Sequence, residues 1–162
     1  MYPSYLNFSK KELNKRVEKL FKILKKCEIC PRKCGVNRLK EEKGFCQWEE
    51  LKIGKEVSFK EMAKMMINLQ NQGCLNINFV TPTPQVPQIV KAVFIAIEMG
   101  LRIPLVYNTN AYDSVKTLKL LEGIFDIYMP DVKYSENRKA ERYSNVPNYF
   151  EIMKKAVKEM HR

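Results

Sequence analysis

The stretch that decides the fold is "PLVYNTNAYDSVKTLKLLEGIFDIYMPDVKY", residues 104–134. It opens with a strand-like run at 104–107 and passes through a polar turn into a helical segment at 113–121. It stops at Gly123, and a second strand-like run follows at 124–129. Strand, helix, strand at this spacing is a parallel β/α unit, because two parallel strands need a crossover between them. Upstream the unit repeats: "LNINFV" at 75–80, a helical segment at 85–99, and a stop at Gly100. Three parallel strands are therefore predicted.

Further out the pattern is helical. Ser58 with Glu61 forms a capping box that opens a helix whose apolar side is Phe59, Met62, Ala63, Met66 and Leu69, closed by Gly73. Ser9 with Glu12 forms another. It opens an amphipathic helix carrying Leu13, Val17, Leu20, Phe21 and Leu24 and ending near Cys27. A last helix is expected over 148–161, with Ile152, Met153, Ala156, Val157 and Met160 on its apolar face. The predicted class is α/β, an incomplete β/α barrel of three parallel strands preceded by an α-helix and a cysteine-rich knuckle. The division is 1–57 for helix and knuckle and 58–162 for the partial barrel. Three strands leave two unprotected edges, a liability that a closed barrel removes. The predicted partner is accordingly a complementary chain or a second copy covering those edges.

The 162 residues suit one domain with a small appendage, and 45% apolar with 10% aromatic residues is the composition of a folded globular protein. No apolar run reaches the roughly 20 residues of a membrane span. "MYPSYLNFSKKELNKR" has no secretory character, so reduced thiols and a cytoplasmic location are expected. The net charge of +11 is uneven: residues 1–46 hold 13 Lys+Arg against 5 Asp+Glu, while 47–162 hold 16 against 13. Lysines on a solvated helix face account for this more simply than nucleic acid does.

Four of the five cysteines fall in "CEICPRKCGVNRLKEEKGFC", spaced Cys27-x2-Cys30-x3-Cys34-x11-Cys46, with Pro31 and Gly35 supplying turns. Four thiolates at such spacing suit tetrahedral zinc or an iron–sulfur cluster. A three-ligand site with Cys46 elsewhere is the open alternative. Cys74, alone before a strand, is read as a small core residue.

In parallel β/α folds ligands bind at the C-terminal ends of the strands. Here those ends read "TPTP" (81–84), "NTNAYD" (108–113) and "MPDVKY" (129–134). Asp131 and Lys133, two apart, point to one side and can offer an acceptor and a cation to a zwitterionic ligand. Thr81, Thr83, Asn108, Thr109 and Asn110 add neutral hydrogen-bonding groups.

"CEICPRKCGVNRLKEEKGFC", "NINFVTPTPQVPQIVKA", the 104–134 stretch and "ERYS" resemble successive pieces of the radical S-adenosylmethionine proteins related to pyruvate formate-lyase activating enzyme. The resemblance covers nearly everything from Cys27 onward. It implies a partial β/α barrel in which a CxxxCxxC motif holds a [4Fe-4S] cluster that cleaves S-adenosylmethionine to a 5′-deoxyadenosyl radical. The motif is missing: "KGFC" runs straight into "QWEELKIGKEVS", as though two flanks had been joined at Cys46, and the later barrel strands have no counterpart.

By the resemblance, Asp131 and Lys133 match the pair contacting the methionyl group. Asn108, Thr109, Met129 and Asp131 match a monovalent-cation set in which Asn108 replaces an acid. Thr81 and Thr83 stand in the amino-group loop, without its glycines. The implied function is a truncated relative, a remnant or one part of a split protein, with weak S-adenosylmethionine binding at most, no catalytic residue and no autonomous radical activity. The alternatives are a metal-binding knuckle that contacts nucleic acid, and an active enzyme using Cys27, Cys30 and Cys34 as an atypical cluster site. Four cysteine ligands would leave no open iron, and x2-x3 spacing is not the family's x3-x2.

Overall fold

Both capping boxes form. The Ser9 side chain accepts the N–H of Glu12 while the Glu12 carboxylate takes the Ser9 N–H, and Ser58 and Glu61 do the same. These boxes start α1 (Lys10–Leu24) and α2 (Phe59–Asn71). The computed structural model describes residues 2–46 and 56–162, so most of the junction after Cys46 lies outside the described residues. Helix α1 buries Leu13, Val17, Leu20 and Leu24. Helix α2 buries Ala63 and Met66, but Phe59 and Leu69 at the ends of its predicted face stay 38% exposed.

From there strands and helices alternate: β1 (Ile77–Val80), α3 (Val86–Glu98), β2 (Leu105–Thr109), α4 (Val115–Leu121) and β3 (Ile127–Pro130). The three strands form one parallel sheet in the order β1-β2-β3, with Phe79 beside Tyr107 and Asn108 beside Met129. Alternation gives the sheet two unlike faces. One carries Ile77, Phe79, Leu105, Tyr107 and Tyr128 into a core shared with Val86, Val90 and Val93 of α3. There Tyr107 packs edge-on against Phe125 at 5.0 Å between ring centroids. The other face carries Asn78, Val80, Asn108, Ile127 and Met129, and Val80 is 72% exposed. Among the described residues no strand pairs with the outer edge of β1 or β3.

Tyr5, Leu13, Val17, Leu20, Cys27 and Ile29 lie in the same core as Ile77, Val90 and Leu105, so the N-terminal helix and knuckle share apolar packing with the β/α part. Chain ends differ from the sequence reading in ways burial explains. Leu75 is 85% exposed and precedes the strand, while Ile124 and Phe125 are buried ahead of β3 as core plugs. Helix α5 (Asn137–Ser144) had no apolar periodicity to announce it and buries only Ala140. Helix α6 (Tyr149–Met160) falls where expected. Cys74 is half-buried and belongs to neither core cluster, which corrects its reading as a core residue. Among the described residues no helix is long and apolar enough to cross a membrane.

Two glycines test the packing. Gly123 (φ +71°) sits where an added Cβ would lie 2.8 Å from Phe8 Cζ, whereas Gly73 (φ +82°) has nothing within 4 Å. Both substitutions to Ala meet left-handed strain of about 1 kcal/mol. Gly123→Ala adds the ring clash and is expected to cost about 2–3 kcal/mol in urea unfolding, against about 1 kcal/mol for Gly73→Ala.

Candidate functional site

After α1 the chain turns back on itself through the knuckle. The Cys27 N–H donates to Val36 O (2.9 Å), the Gly35 N–H to Cys27 O (3.0 Å) and the Lys33 N–H to Cys30 O (3.2 Å). Lys33 and Gly35 take positive φ to close the turn. This folding aims the N–H of Ile29 at the sulfur of Cys27 and that of Arg32 at the sulfur of Cys30. Backbone donors on sulfur favour the thiolate, the form that binds metal. Burial works the other way and dominates, pushing both thiols up. Cys34 adds to both rises and Cys46 to that of Cys30, while Arg38 draws Cys27 down and Arg32 draws Cys30 down.

The four sulfurs are thus electrostatic neighbours in the sequence Cys27, Cys34, Cys30, Cys46. They do not close into one shell: among the described residues no three Cys, His, Asp or Glu side chains are grouped as a metal site. Cys27 is buried while Cys34 and Cys46 are exposed. The donor set nonetheless fits a thiophilic metal. The sulfurs adjoin, N–H groups point at two of them, and Gly44 packs so close to Cys34 that a Cβ would lie 2.8 Å from its sulfur. Gln88, whose Oε1 is buried with no hydrogen-bond partner among the described residues, lines a cavity of about 70 Å³ with Arg38, Gly44 and Cys46.

The knuckle is fastened to the rim of the sheet. Arg38 Nη1 donates to Pro84 O (2.8 Å), Arg32 Nη2 to Asn145 O (2.7 Å) and Thr117 Oγ1 to Ile29 O (2.7 Å). Tyr112, in the loop after β2, is raised mainly by burial and also by Cys30, with Arg32 opposing.

At the rim itself the ladder continues beyond the strands, the Thr81 N–H donating to Asn108 O and the Asp131 N–H to Thr109 O, both 2.7 Å. The predicted rim residues then divide. Thr81, Met129, Asp131 and Lys133 are exposed and Asn108 is half-buried. Asp131 and Lys133 form an ion pair with each other, 55% and 51% exposed. Such a surface pair is worth about 0–1 kcal/mol, so a zwitterion could separate it at little cost. Thr83 and Thr109 instead point inward, 6% and 1% exposed. Both hydroxyls donate to Asp113, Thr83 to Oδ1 at 2.7 Å and Thr109 to Oδ2 at 2.5 Å, and Tyr107 OH donates to Oδ1 at 2.9 Å. In this arrangement the two threonines hold the rim's framework and present no hydroxyl to a ligand.

Sequence reasoning missed Asp113, Tyr107 and Tyr149. Tyr149 OH donates to Asn110 O (2.8 Å) and accepts the Lys133 N–H (2.9 Å), pinning the loops after β2 and β3 together. Asp113 was visible only as one more turn-forming residue in "NTNAYD", and nothing local distinguishes it.

No protein-family model matches the chain, and no solved structure matches it. An uncharacterized protein of the archaeon Methanocaldococcus jannaschii is 31% identical, over 88% of this chain and 56% of its own length. The chain thus spans about half of that relative. Their alignment runs over 193 positions, more than the 162 residues of the chain, so the relative has internal residues with no counterpart here.

Asp113 is 2% exposed and its carboxyl is raised, burial outweighing the three hydroxyl donors. Asp113→Ala should cost about 2–3 kcal/mol in urea unfolding, since three buried hydroxyls lose their shared acceptor and Thr83 and Tyr107 keep only their bond to each other (3.3 Å). A raised folded pKa means that the native state holds the proton more tightly. Stability from this group is therefore present below the ordinary carboxyl value of 3.8 and is lost as pH rises from there through the folded value. The wild type should accordingly lose ground to Asp113→Asn as pH rises above 3.8, and an unchanged difference would show Asp113 titrating normally.

Proposed function

We propose that the chain is a truncated relative of the radical S-adenosylmethionine iron–sulfur proteins of the pyruvate formate-lyase activating type. In this reading it is a remnant or one part of a split protein, an incomplete β/α barrel without autonomous radical activity. The observation that carries the reading is the open sheet. Three parallel strands end in one rim, with Asn108, Met129 and Asp131 on the face away from the helices and Lys133 just beyond. That face and both edges are where further barrel strands would pack. The relative's extra internal positions favour a chain shortened within its length rather than a fold complete in three strands.

Cys27, Cys30, Cys34 and Cys46 are the residues that would hold zinc or an iron–sulfur cluster, after the exposed side chains of Cys34 and Cys46 swing inward. A cluster would supply one-electron chemistry and zinc a structural crosslink. The chain's own residues divide the remaining work. Arg32 and Arg38 moderate the negative charge of the sulfurs, and their bonds to Asn145 and Pro84 keep the knuckle on the rim. Asp131 and Lys133 would meet the two charges of an amino acid group, and Asn108 and Thr81 would add neutral contacts. Half a site gives half the contacts, so S-adenosylmethionine should bind at about 1 mM or weaker, near −4 kcal/mol.

Protein purified without air is expected to carry about one zinc or one cluster per chain, lost in the Cys27, Cys30, Cys34 triple-serine variant. Metal-free protein with an intact thermal transition would refute the knuckle assignment. After reconstitution with iron and sulfide, incubation with dithionite and S-adenosylmethionine should yield no 5′-deoxyadenosine above that variant. Turnover above it would establish instead an active enzyme using those three cysteines.

A further inference from the structure

Helices α1 and α4 lie side by side and leave a groove of about 420 Å³ between them, beside the start of the knuckle. Lys19 and Lys22 of α1 and Lys26, just past its end, line it from one side, and Lys116 of α4 lines it from the other. All four are exposed, and Ile23 and Leu120 form a half-buried apolar strip between the two rows. The single acid in the groove, Glu28, pairs with Lys116 at 3.2 Å. Among the described residues no acid pairs with Lys19, Lys22 or Lys26. Like charges packed on one helix face repel and cost stability, and the one acid at i,i+4 spacing, Glu18 before Lys22, accepts from Asn14 Nδ2 (2.8 Å).

We propose that this groove binds the phosphodiester backbone of a single nucleic acid strand. The charge pattern is the first reason: three ammonium groups without an ion pair, three and four residues apart in sequence, match two or three successive phosphates. The apolar strip is the second, since the faces of sugar and base rings between phosphates can lie along Ile23 and Leu120, which a free phosphate has no group to cover. The sequence reading assigned the N-terminal charge excess to a solvated helix face. The fold changes that by placing Lys116, more than eighty residues away, opposite the α1 lysines. The inference is independent of the metal and of S-adenosylmethionine.

The test is anisotropy of a fluorescein-labelled single-stranded RNA of about twelve nucleotides, titrated with the full chain across a salt series. Binding should be micromolar at low salt, with log K falling against log salt at a slope of about −1.4 to −2.1 for two or three phosphates. Reversing Lys19, Lys22 and Lys26 to Glu should weaken binding at least tenfold and flatten the slope by about 2. Reversing Lys60, Lys64 and Lys155, exposed on other helices, changes net charge equally and should leave affinity within about twofold. If the triple Glu variant fails to fold, the Lys→Gln triple reads out the same loss at smaller amplitude. No binding at low salt, an equal loss in the control variant, or tighter binding of polyglutamate than of RNA would each overturn the proposal.

Discussion

The rim of this protein depends on one buried carboxylate. Asp113 sits 2% exposed between the end of β2 and the start of α4, and receives hydroxyl protons from Thr83, Tyr107 and Thr109. Those donors come from the loop after β1, from inside β2 and from its last residue. A single acceptor group thereby joins two strand ends and a helix start that sequence separates by up to 30 residues. Its charge is uncomfortable there, as its raised pKa shows, yet removing it would take the shared acceptor from three hydroxyls in a low-dielectric site. The cost of either alternative makes the arrangement specific. It also decides which rim groups face outward: with Thr83 and Thr109 turned in, Thr81, Asn108, Met129, Asp131 and Lys133 are what a ligand meets.

The knuckle is the second element whose place matters more than its composition. Its cysteines are held next to the rim by three bonds from side chains to distant carbonyls: Arg38 to Pro84, Arg32 to Asn145 and Thr117 to Ile29. Main-chain acceptors do not depend on the neighbour's side chain, so these anchors tolerate sequence change at the far end. The same two arginines moderate the cysteine charges, which couples docking of the knuckle to ionisation of its thiols. A metal entering this site would displace protons that burial now holds on Cys27 and Cys30, and its affinity would rise with pH over the range in which they leave.

The two faces of the sheet are filled unequally. Its helix-side face is closed by an aromatic set of Phe79, Tyr107, Phe125 and Tyr128, in edge and tilted contacts that fill the space beneath α3. The opposite face leaves Val80, Ile127 and Met129 exposed, at 72%, 38% and 45%. Apolar residues on a sheet face next to unpaired edges are the pattern that folded proteins normally cover. The two faces thus differ: the helix-side face is filled, while the other buries Val106 at its centre and leaves the apolar residues around it exposed.

The sequence by itself determined the local structure. Two capping boxes, the helical spacing of Leu13, Val17 and Leu20, and the apolar runs around Phe79, Tyr107 and Tyr128 fixed helices, strands and their parallel order. Each of these signals lies within a few residues of the structure it dictates. It also located the cysteines and the three polar strand ends. Tertiary structure alone decided what those residues do. A threonine at a strand end reads the same whether its hydroxyl faces a ligand or a buried carboxylate, and only the approach of Asp113 turned Thr83 and Thr109 inward. Asp131 and Lys133 read as two recognition groups and were found holding one another. Leu75 and Ile124 look equally apolar in sequence, yet one is exposed and the other buried, because a residue's burial is set by the elements that pack on it and those come from elsewhere in the chain.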